Sequence, residues 1–244
     1  MDLPHGVAGE APEGLEVPPA LLRALPGETL HPVWLNQLGG RTFRAGDRFA
    51  KWMPAEHAAV IEREVARLRW AGQWLSVPRV LASGSDGGGG AWLVTAALPG
   101  ESAVSARWKA EPARAAAGIG RGLRRLHDAL PVEQCPFEWG VARRLARAGR
   151  PPDALGPPPP PDRLVVCHGD PCVPNTLLLP DGSVAGHVDL GSLGVADRWA
   201  DLAVATWSLE WNYGPGLDDV LLDAYGVEAD PVRTQWYREL WAAT

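Results

Sequence analysis

One carboxylate and one carboxamide stand five residues apart in His168-Gly169-Asp170-Pro171-Cys172-Val173-Pro174-Asn175. A second carboxylate follows 14 residues after Asn175, in Val188-Asp189-Leu190-Gly191. Phosphoryl transfer from a nucleotide needs these residue types. A carboxylate must orient the attacking hydroxyl and take its proton, and hard oxygen ligands must hold Mg²⁺ against the phosphates. Taken singly, each residue has a plainer reading. Asp170 has that of a solvated loop acid, and Asn175 that of an Asx-turn residue. The five-residue spacing from Asp170 favours the metal role for Asn175. His168 reads as structural, its ring bonding backbone to hold the loop.

These side chains need a scaffold. Leu164-Val165-Val166-Cys167 reads as a buried strand ahead of the loop, and Thr176–Leu179 and Val184–Val188 as a hairpin turning at Pro180-Asp181-Gly182. Further upstream, Val33–Leu38, Arg41–Arg44 and Arg48–Trp52 are short strands split by Gly39-Gly40 and by Ala45-Gly46-Asp47. Residues 55–75 carry Val60, Ile61, Val65 and Leu68 at helical spacing, up to a stop at Val77-Pro78. Val80-Leu81 and Ala91–Thr95 add two strands joined by a flexible Ser83–Gly90 turn. Residues 31–97 therefore predict a five-stranded antiparallel lobe with one helix, preceded by an extension over 1–30 with a short helical piece near Pro19–Leu25. Beyond the hinge at Leu98–Glu101, residues 98–244 predict a mainly helical lobe. Its helices span Ala113–Leu130, 138–150, Asp197–Trp211, Gly216–Ala224 and Pro231–Trp241, with a stiff spacer at Pro157–Pro161.

Lys51, in Phe49-Ala50-Lys51-Trp52, is one of only two lysines in the chain. Its compact ammonium suits phosphate oxygens, and its partner should be an acid on the following helix. Glu62 and Glu64 point about 200° apart on a helix, so one of them faces the cleft and the other solvent.

The spaced set H-G-D-x-x-x-x-N followed by h-D-x-G resembles the aminoglycoside phosphotransferase family, relatives of the protein kinases. The resemblance spans residues 31–244. It is strongest over Val165–Ala205, where the sequence is similar to the antibiotic 3′- and 3″-phosphotransferases, and it includes Gln134–Phe137 and the G-x-A-D-R-W-x-D phrase at Gly194–Asp201. It implies an α+β, protein-kinase-like fold of two lobes: a small N-terminal antiparallel β lobe with one helix, and a larger, mainly helical C-terminal lobe. By the same resemblance Asp170 is the catalytic base, and Asn175 and Asp189 are Mg²⁺ ligands. Lys51 holds the α- and β-phosphates with Glu64 as its partner. Gly39, Gly40 and Thr42 stand where a loop covers the phosphates, and the adenine meets backbone near Thr95 and Ala97. His168 and Asp201 support the catalytic loop, and Asp197 is placed to cap a helix. The implied donor is ATP, with GTP as the other choice; the implied acceptor is a cationic small molecule, an aminoglycoside antibiotic phosphorylated at a hydroxyl in the 3′ manner, with resistance as the outcome.

Three departures from the family pattern touch the acceptor site. The stretch Glu138–Val166, where the family carries an acidic insert, is proline-rich and holds only Glu138, Asp153 and Asp162 as acids. Ser192 stands where the family has Arg, and Trp241 and Ala242 where it often has an acidic pair. These open two further readings: a kinase of streptomycin or another small alcohol, and a nucleotide-binding module without turnover. The complete set of Lys51, Glu64, Asp170, Asn175 and Asp189 argues against the second.

Composition sets the frame. The chain has 244 residues, net charge −6 and 46% hydrophobic residues, enough to bury a core without staples. Residues 165–244 hold 12 carboxylates against Arg198, Arg233 and Arg238. That field repels nucleic acid and attracts a cationic ligand, with Asp197, Glu210, Asp218 and Asp219 among its sources. Three cysteines without a C-x-x-C pair argue against a disulfide framework or zinc site. Met1-Asp2-Leu3-Pro4 has no signal-peptide character, and no apolar run predicts a membrane span. The chain reads as cytoplasmic, a monomer or homodimer. Trp199, Trp207 and Trp211, at spacings of eight and four, read as helix core.

Overall fold

The computed structural model describes residues 9–12 and 14–244; the N-terminal Met1–Pro4 reading lies outside them. The chain divides into two compact units, one reaching Gln73 and including Val77–Leu98, the other comprising Trp74–Ser76 and Pro99–Thr244.

The first unit contains β1 (Gly9–Glu10), α1 (Pro19–Ala24), β2 (His31–Leu35), β3 (Arg41–Ala45), β4 (Arg48–Met53), α2 (Ala59–Ala71), β5 (Val80–Ser85) and β6 (Ala91–Ala96). Its sheet is antiparallel in the order β1-β2-β3-β4-β6-β5. In β3, Phe43 and Ala45 are buried while Arg44 between them is exposed, the alternation a half-buried strand requires. On α2, Ile61, Glu64, Val65, Leu68 and Ala71 form the buried face, and Gly72 follows its last turn.

Three expectations change here. The sheet has six strands, because Gly9 and Glu10 of the extension pair with Leu35 and Trp34. This pairing covers main-chain groups that would otherwise line an open edge. A second helix joins the unit, because Leu21 and Leu25 of the α1 segment pack with Phe43, Ala50 and Val94. The turn expected to be flexible is shortened and fastened. β5 runs on to Ser85, and Asp86 Oδ1 accepts from Gly88 N–H (2.8 Å) and Gly90 N–H (2.9 Å).

The second unit contains β7 (Glu101–Ser102), α3 (Ala106–Ala110), α4 (Pro112–Ala129), α5 (Val141–Arg147), β8 (Leu164–Cys167), β9 (Thr176–Leu178), β10 (Val184–His187), β11 (Gly194–Asp197), α6 (Trp199–Tyr213), α7 (Asp218–Tyr225) and α8 (Pro231–Ala243). Two small sheets, β10-β9-β7 and β11-β8, carry the loops of interest. Behind them lies a core of Trp108, Ile119, Leu123, Val165, Val173, Trp199, Leu202 and Leu240, among others. Within α6, Trp199 is core, but Trp207 and Trp211 are half-buried. The spacing of eight and four places these rings near one side of the helix without burying them equally. Asp197 ends β11 and, as expected, its side chain caps the start of α6. It is buried there and accepts Trp199 N–H at 2.8 Å, and Arg198 between the two already has helical φ and ψ. Among the described residues no helix is long and apolar enough to cross a membrane.

α4 packs on α7 through a glycine. A Cβ at Gly120 would stand well inside contact distance of Leu221 O and 3.1 Å from Ala224 Cβ. Gly120→Ala should therefore destabilise the protein by about 1–3 kcal/mol despite the better helix propensity of alanine, because backbone must move. Urea unfolding monitored by tryptophan fluorescence measures this; an increase in stability would show that α4 and α7 are not packed this closely.

Candidate active site

β8 delivers the chain into the His168–Asn175 loop, and the loop is anchored from below. Asp201, in the first turn of α6, accepts His168 N–H at 2.6 Å on Oδ2 and Gly169 N–H at 2.9 Å on Oδ1. His127 Nε2 lies 2.9 Å from Oδ2, and Tyr225 OH lies 2.8 Å from His127 Nδ1. Burial alone would raise the Asp201 carboxyl, but the bond and charge of His127 and the loop N–H groups hold it below the ordinary carboxylate range. Gly169 has φ +83°, and a Cβ there would collide with Ser192 O. Both the left-handed backbone and the close approach call for glycine. The His168 ring accepts Asp170 N–H on Nδ1 (3.2 Å), so it braces the loop from inside.

The three expected chemical groups come together in this unit. Asn175 is buried and directs Nδ2 to Asp170 O (3.0 Å), which leaves its Oδ1 as the ligand-type atom. Asn175 O in turn accepts Val188 N–H (3.0 Å), which fixes the neighbouring Asp189 beside the loop. Asp189 is exposed and is the single non-glycine residue with positive φ among the described residues, at 61°. That conformation costs about 1–2 kcal/mol and is typical of a position held for function. Asp170 Oδ1 is buried with no hydrogen-bond partner, and burial, aided by the Asp189 charge, pushes its carboxyl above the usual value. Oxygen donors in this arrangement fit a hard divalent cation such as Mg²⁺.

In the first unit, Lys51 Nζ lies 2.7 Å from Glu64 Oε1. Glu64 is buried and Glu62 exposed, which resolves the choice between them. The Gly39-Gly40 turn is a clamped hairpin. Asn36 Oδ1 accepts from Leu38 N–H (3.0 Å) and Gly40 N–H (2.7 Å), and Asn36 O accepts from Gly39 N–H (3.1 Å). Donors expected to cover phosphates are thus used inside the turn. Thr42 pairs with Lys51 across the sheet. Thr95 is buried inside β6 between β4 and β5, and Ala97 N–H donates to Asp47 O (2.8 Å), so this main-chain donor expected for a base is engaged within the unit.

Four supporting residues were missed from sequence: Asn36, His127, Ser102 and Ser208. Ser102 Oγ donates to Pro174 O (2.9 Å), and Ser208 Oγ accepts Val173 N–H (3.0 Å). His127 interrupts the apolar face of α4, and that was its signal; the serines gave none. His127, Cys167 and Asp201 place ligand-type atoms within 4.8 Å of one another. Both ring nitrogens of His127 are already bonded, and Cys167 Sγ donates to Asp197 O (3.3 Å), so the cluster is a hydrogen-bonded core.

Compared with known protein families, the chain matches the phosphotransferase enzyme family over residues 21–155 and 142–237. The chain belongs to this family. This phosphotransferase is 37% identical over 248 residues to the streptomycin 3″-kinase of Streptomyces griseus, covering 85% of this chain and 89% of that protein. It is 34% identical over 225 residues to the aminoglycoside 3′-phosphotransferase of Streptomyces fradiae, covering 79% and 83%. Among solved structures, aminoglycoside phosphotransferase APH(3″)-Id from Streptomyces rimosus has a TM-score of 0.73 at 33% identity, covering 92% of this chain and 96% of that one. An aminoglycoside 3′-phosphotransferase of type VIII has a TM-score of 0.75 at 29% identity, covering 93% and 97%. The α+β, kinase-like fold implied by the motifs is thus the fold of this phosphotransferase.

The raised carboxyl of Asp170 gives a stability prediction with a definite sign. Its folded-state pKa lies above the unfolded value near ~3.9, so the ionised side chain disfavours the folded state at neutral pH, and this penalty vanishes once both states are protonated. Asp170→Asn should melt higher than the parent at pH 7. The difference should shrink as pH falls toward ~4. Thermal melts across that range measure it; a lower melting temperature at pH 7 would mean that Asp170 is stabilised by contacts its buried oxygen does not show.

Proposed function

We propose that this chain transfers the γ-phosphoryl group of ATP to a hydroxyl of an aminoglycoside antibiotic. The observation that carries the reading is the buried, unpartnered Oδ1 of Asp170 in a loop whose backbone also fixes Asn175 and Asp189. The acceptor hydroxyl hydrogen-bonds to that oxygen. As the new bond forms to the γ-phosphorus and the bond to ADP breaks, the hydroxyl proton passes to Asp170. Lys51, aligned by Glu64, meets the α- and β-phosphates. Asn175 Oδ1 and Asp189 would hold Mg²⁺, which when bound neutralises charge on the β- and γ-phosphates. ATP as donor is supported by APH(3″)-Id, solved with ADP and streptomycin.

A second reading, streptomycin as acceptor, draws support from the 37% identity to the streptomycin 3″-kinase and from the 33% identity to APH(3″)-Id. It also suits the departures in the acceptor region. Trp241 is half-buried with the Arg144 guanidinium 5.8 Å from its ring, so this segment offers no acidic pair to a polyamine.

Purified protein with ATP, Mg²⁺ and either streptomycin or kanamycin should release ADP in a coupled assay. Mass spectrometry and NMR of the product identify the hydroxyl. Asp170→Asn should lower kcat by at least ~10²-fold, and Lys51→Ala should raise the KM for ATP. Turnover of a different alcohol and of no aminoglycoside would overturn the acceptor assignment, and near-parental kcat in the Asp170 variant would remove it as the base.

A further inference from the structure

Trp207 and Trp211 are large aromatic side chains that the core does not absorb. Both are half-buried, with ring centroids 4.8 Å apart and planes tilted by 48°. A guanidinium already lies over one ring of the pair, with Arg238 Cζ 5.8 Å from the Trp207 ring centroid. Arg238 is held there by Glu210 Oε1 (3.2 Å), Asp218 Oδ2 (3.3 Å) and Thr206 Oγ1 (3.1 Å). Two carboxylates thus share one cation, and Asp218 Oδ1 remains buried without a partner. The ground beside the ring pair is short of positive charge.

The helix that carries the pair also touches the catalytic loop through Ser208. Ser208, which accepts Val173 N–H, stands three residues before Trp211, so the two share a face of α6 about 4.5 Å apart along its axis. Asn212 Nδ2 closes on Ser208 O (2.8 Å) and Ser208 Oγ (3.2 Å), completing that face. Asp170 and Val173 are three residues apart, so the chain between them spans at most about 11 Å.

We propose that Trp207 and Trp211 form a platform for a guanidinium group of the acceptor, with Trp211 supplying the ring that Arg238 leaves open. This rests on the aminoglycoside phosphotransferase reading and deepens it by naming the acceptor's cation. A planar, weakly hydrated guanidinium can lie over an indole face, as Arg238 Cζ lies over the Trp207 ring. A compact ammonium keeps its water more strongly and is better served by carboxylates. Streptomycin carries guanidinium groups on its cyclitol; kanamycin carries ammonium groups. The platform would therefore favour the streptomycin class and would replace, with aromatic surface, part of the acidity missing from residues 138–166.

The test uses the full chain and two variants of the half-buried ring. Trp211→Leu keeps apolar bulk and removes the π face; Trp211→Phe keeps a π face. Streptomycin KM and its calorimetric Kd should rise on the order of tenfold in Trp211→Leu and return most of the way in Trp211→Phe. The KM for ATP and the kcat at saturating streptomycin should change little, and Kd for kanamycin should be less affected than Kd for streptomycin. Unchanged streptomycin KM and Kd in Trp211→Leu, or an equal loss for both antibiotics, would overturn the platform while leaving the phosphotransferase reading intact. If the parent protein neither binds nor phosphorylates any aminoglycoside, both fall together.

Discussion

The carboxylate of Asp201 is fully buried and accepts bonds from two consecutive loop N–H groups and from His127. A buried charge of this kind is tolerable only when its oxygens are matched, and losing a partner leaves an uncompensated ion. Asp201 also sits in the first turn of α6, where the helix dipole favours negative charge. The loop conformation follows from these bonds. With His168 and Gly169 fixed, Asp170 emerges at a set position. Asn175 then bonds to Asp170 O, and Val188 bonds to Asn175 O, so Asp189 is positioned through a continuous chain of main-chain acceptors. Each side chain expected to do chemistry in the second unit is referred back to one acid that does none.

The second unit was more legible in sequence than the first, for a physical reason. The β8 segment is a continuous apolar run, the hairpin after it has a Pro-Asp-Gly turn, and α6 begins after an acid-rich phrase. These are local signals that tertiary context reinforces. In the first unit, β1 is a two-residue strand whose reason to exist is the open edge of β2, which no local pattern announces. The Asn36 clamp is similar. Asn36 precedes a Gly-Gly pair that reads equally well as a phosphate cradle or a tight hairpin, and the choice depends on where one side-chain oxygen points. The Glu62 and Glu64 ambiguity was narrowed by helix geometry and resolved by burial.

Charge was the feature most altered by the fold. The acidic excess of residues 165–244 is real, but several of its members are consumed inside the unit. Asp197 binds main chain, Asp201 binds the loop and His127, Asp230 pairs with Arg233, and Glu210 and Asp218 share Arg238. Asp181, Asp189, Asp219, Asp223, Glu228 and Glu239 remain exposed. These act over roughly a Debye length of about 8 Å, enough to guide a cation toward the surface and too diffuse to select among cations. Selection therefore belongs to shaped contacts at short range.

α6 begins with the acid that anchors the loop and continues through Ser208, which touches the same loop one turn after Val204 of the core. It is a single helix of 15 residues that meets the loop on its buried side and carries Trp207 and Trp211 half-buried beside it. Its buried face is constrained by the loop and the core, so substitutions there disturb the loop that carries Asp170. Its half-exposed face can exchange side chains while the helix stays where it is. Under the proposed platform, replacements along that face change which cation is held while the loop that carries Asp170 stays in register.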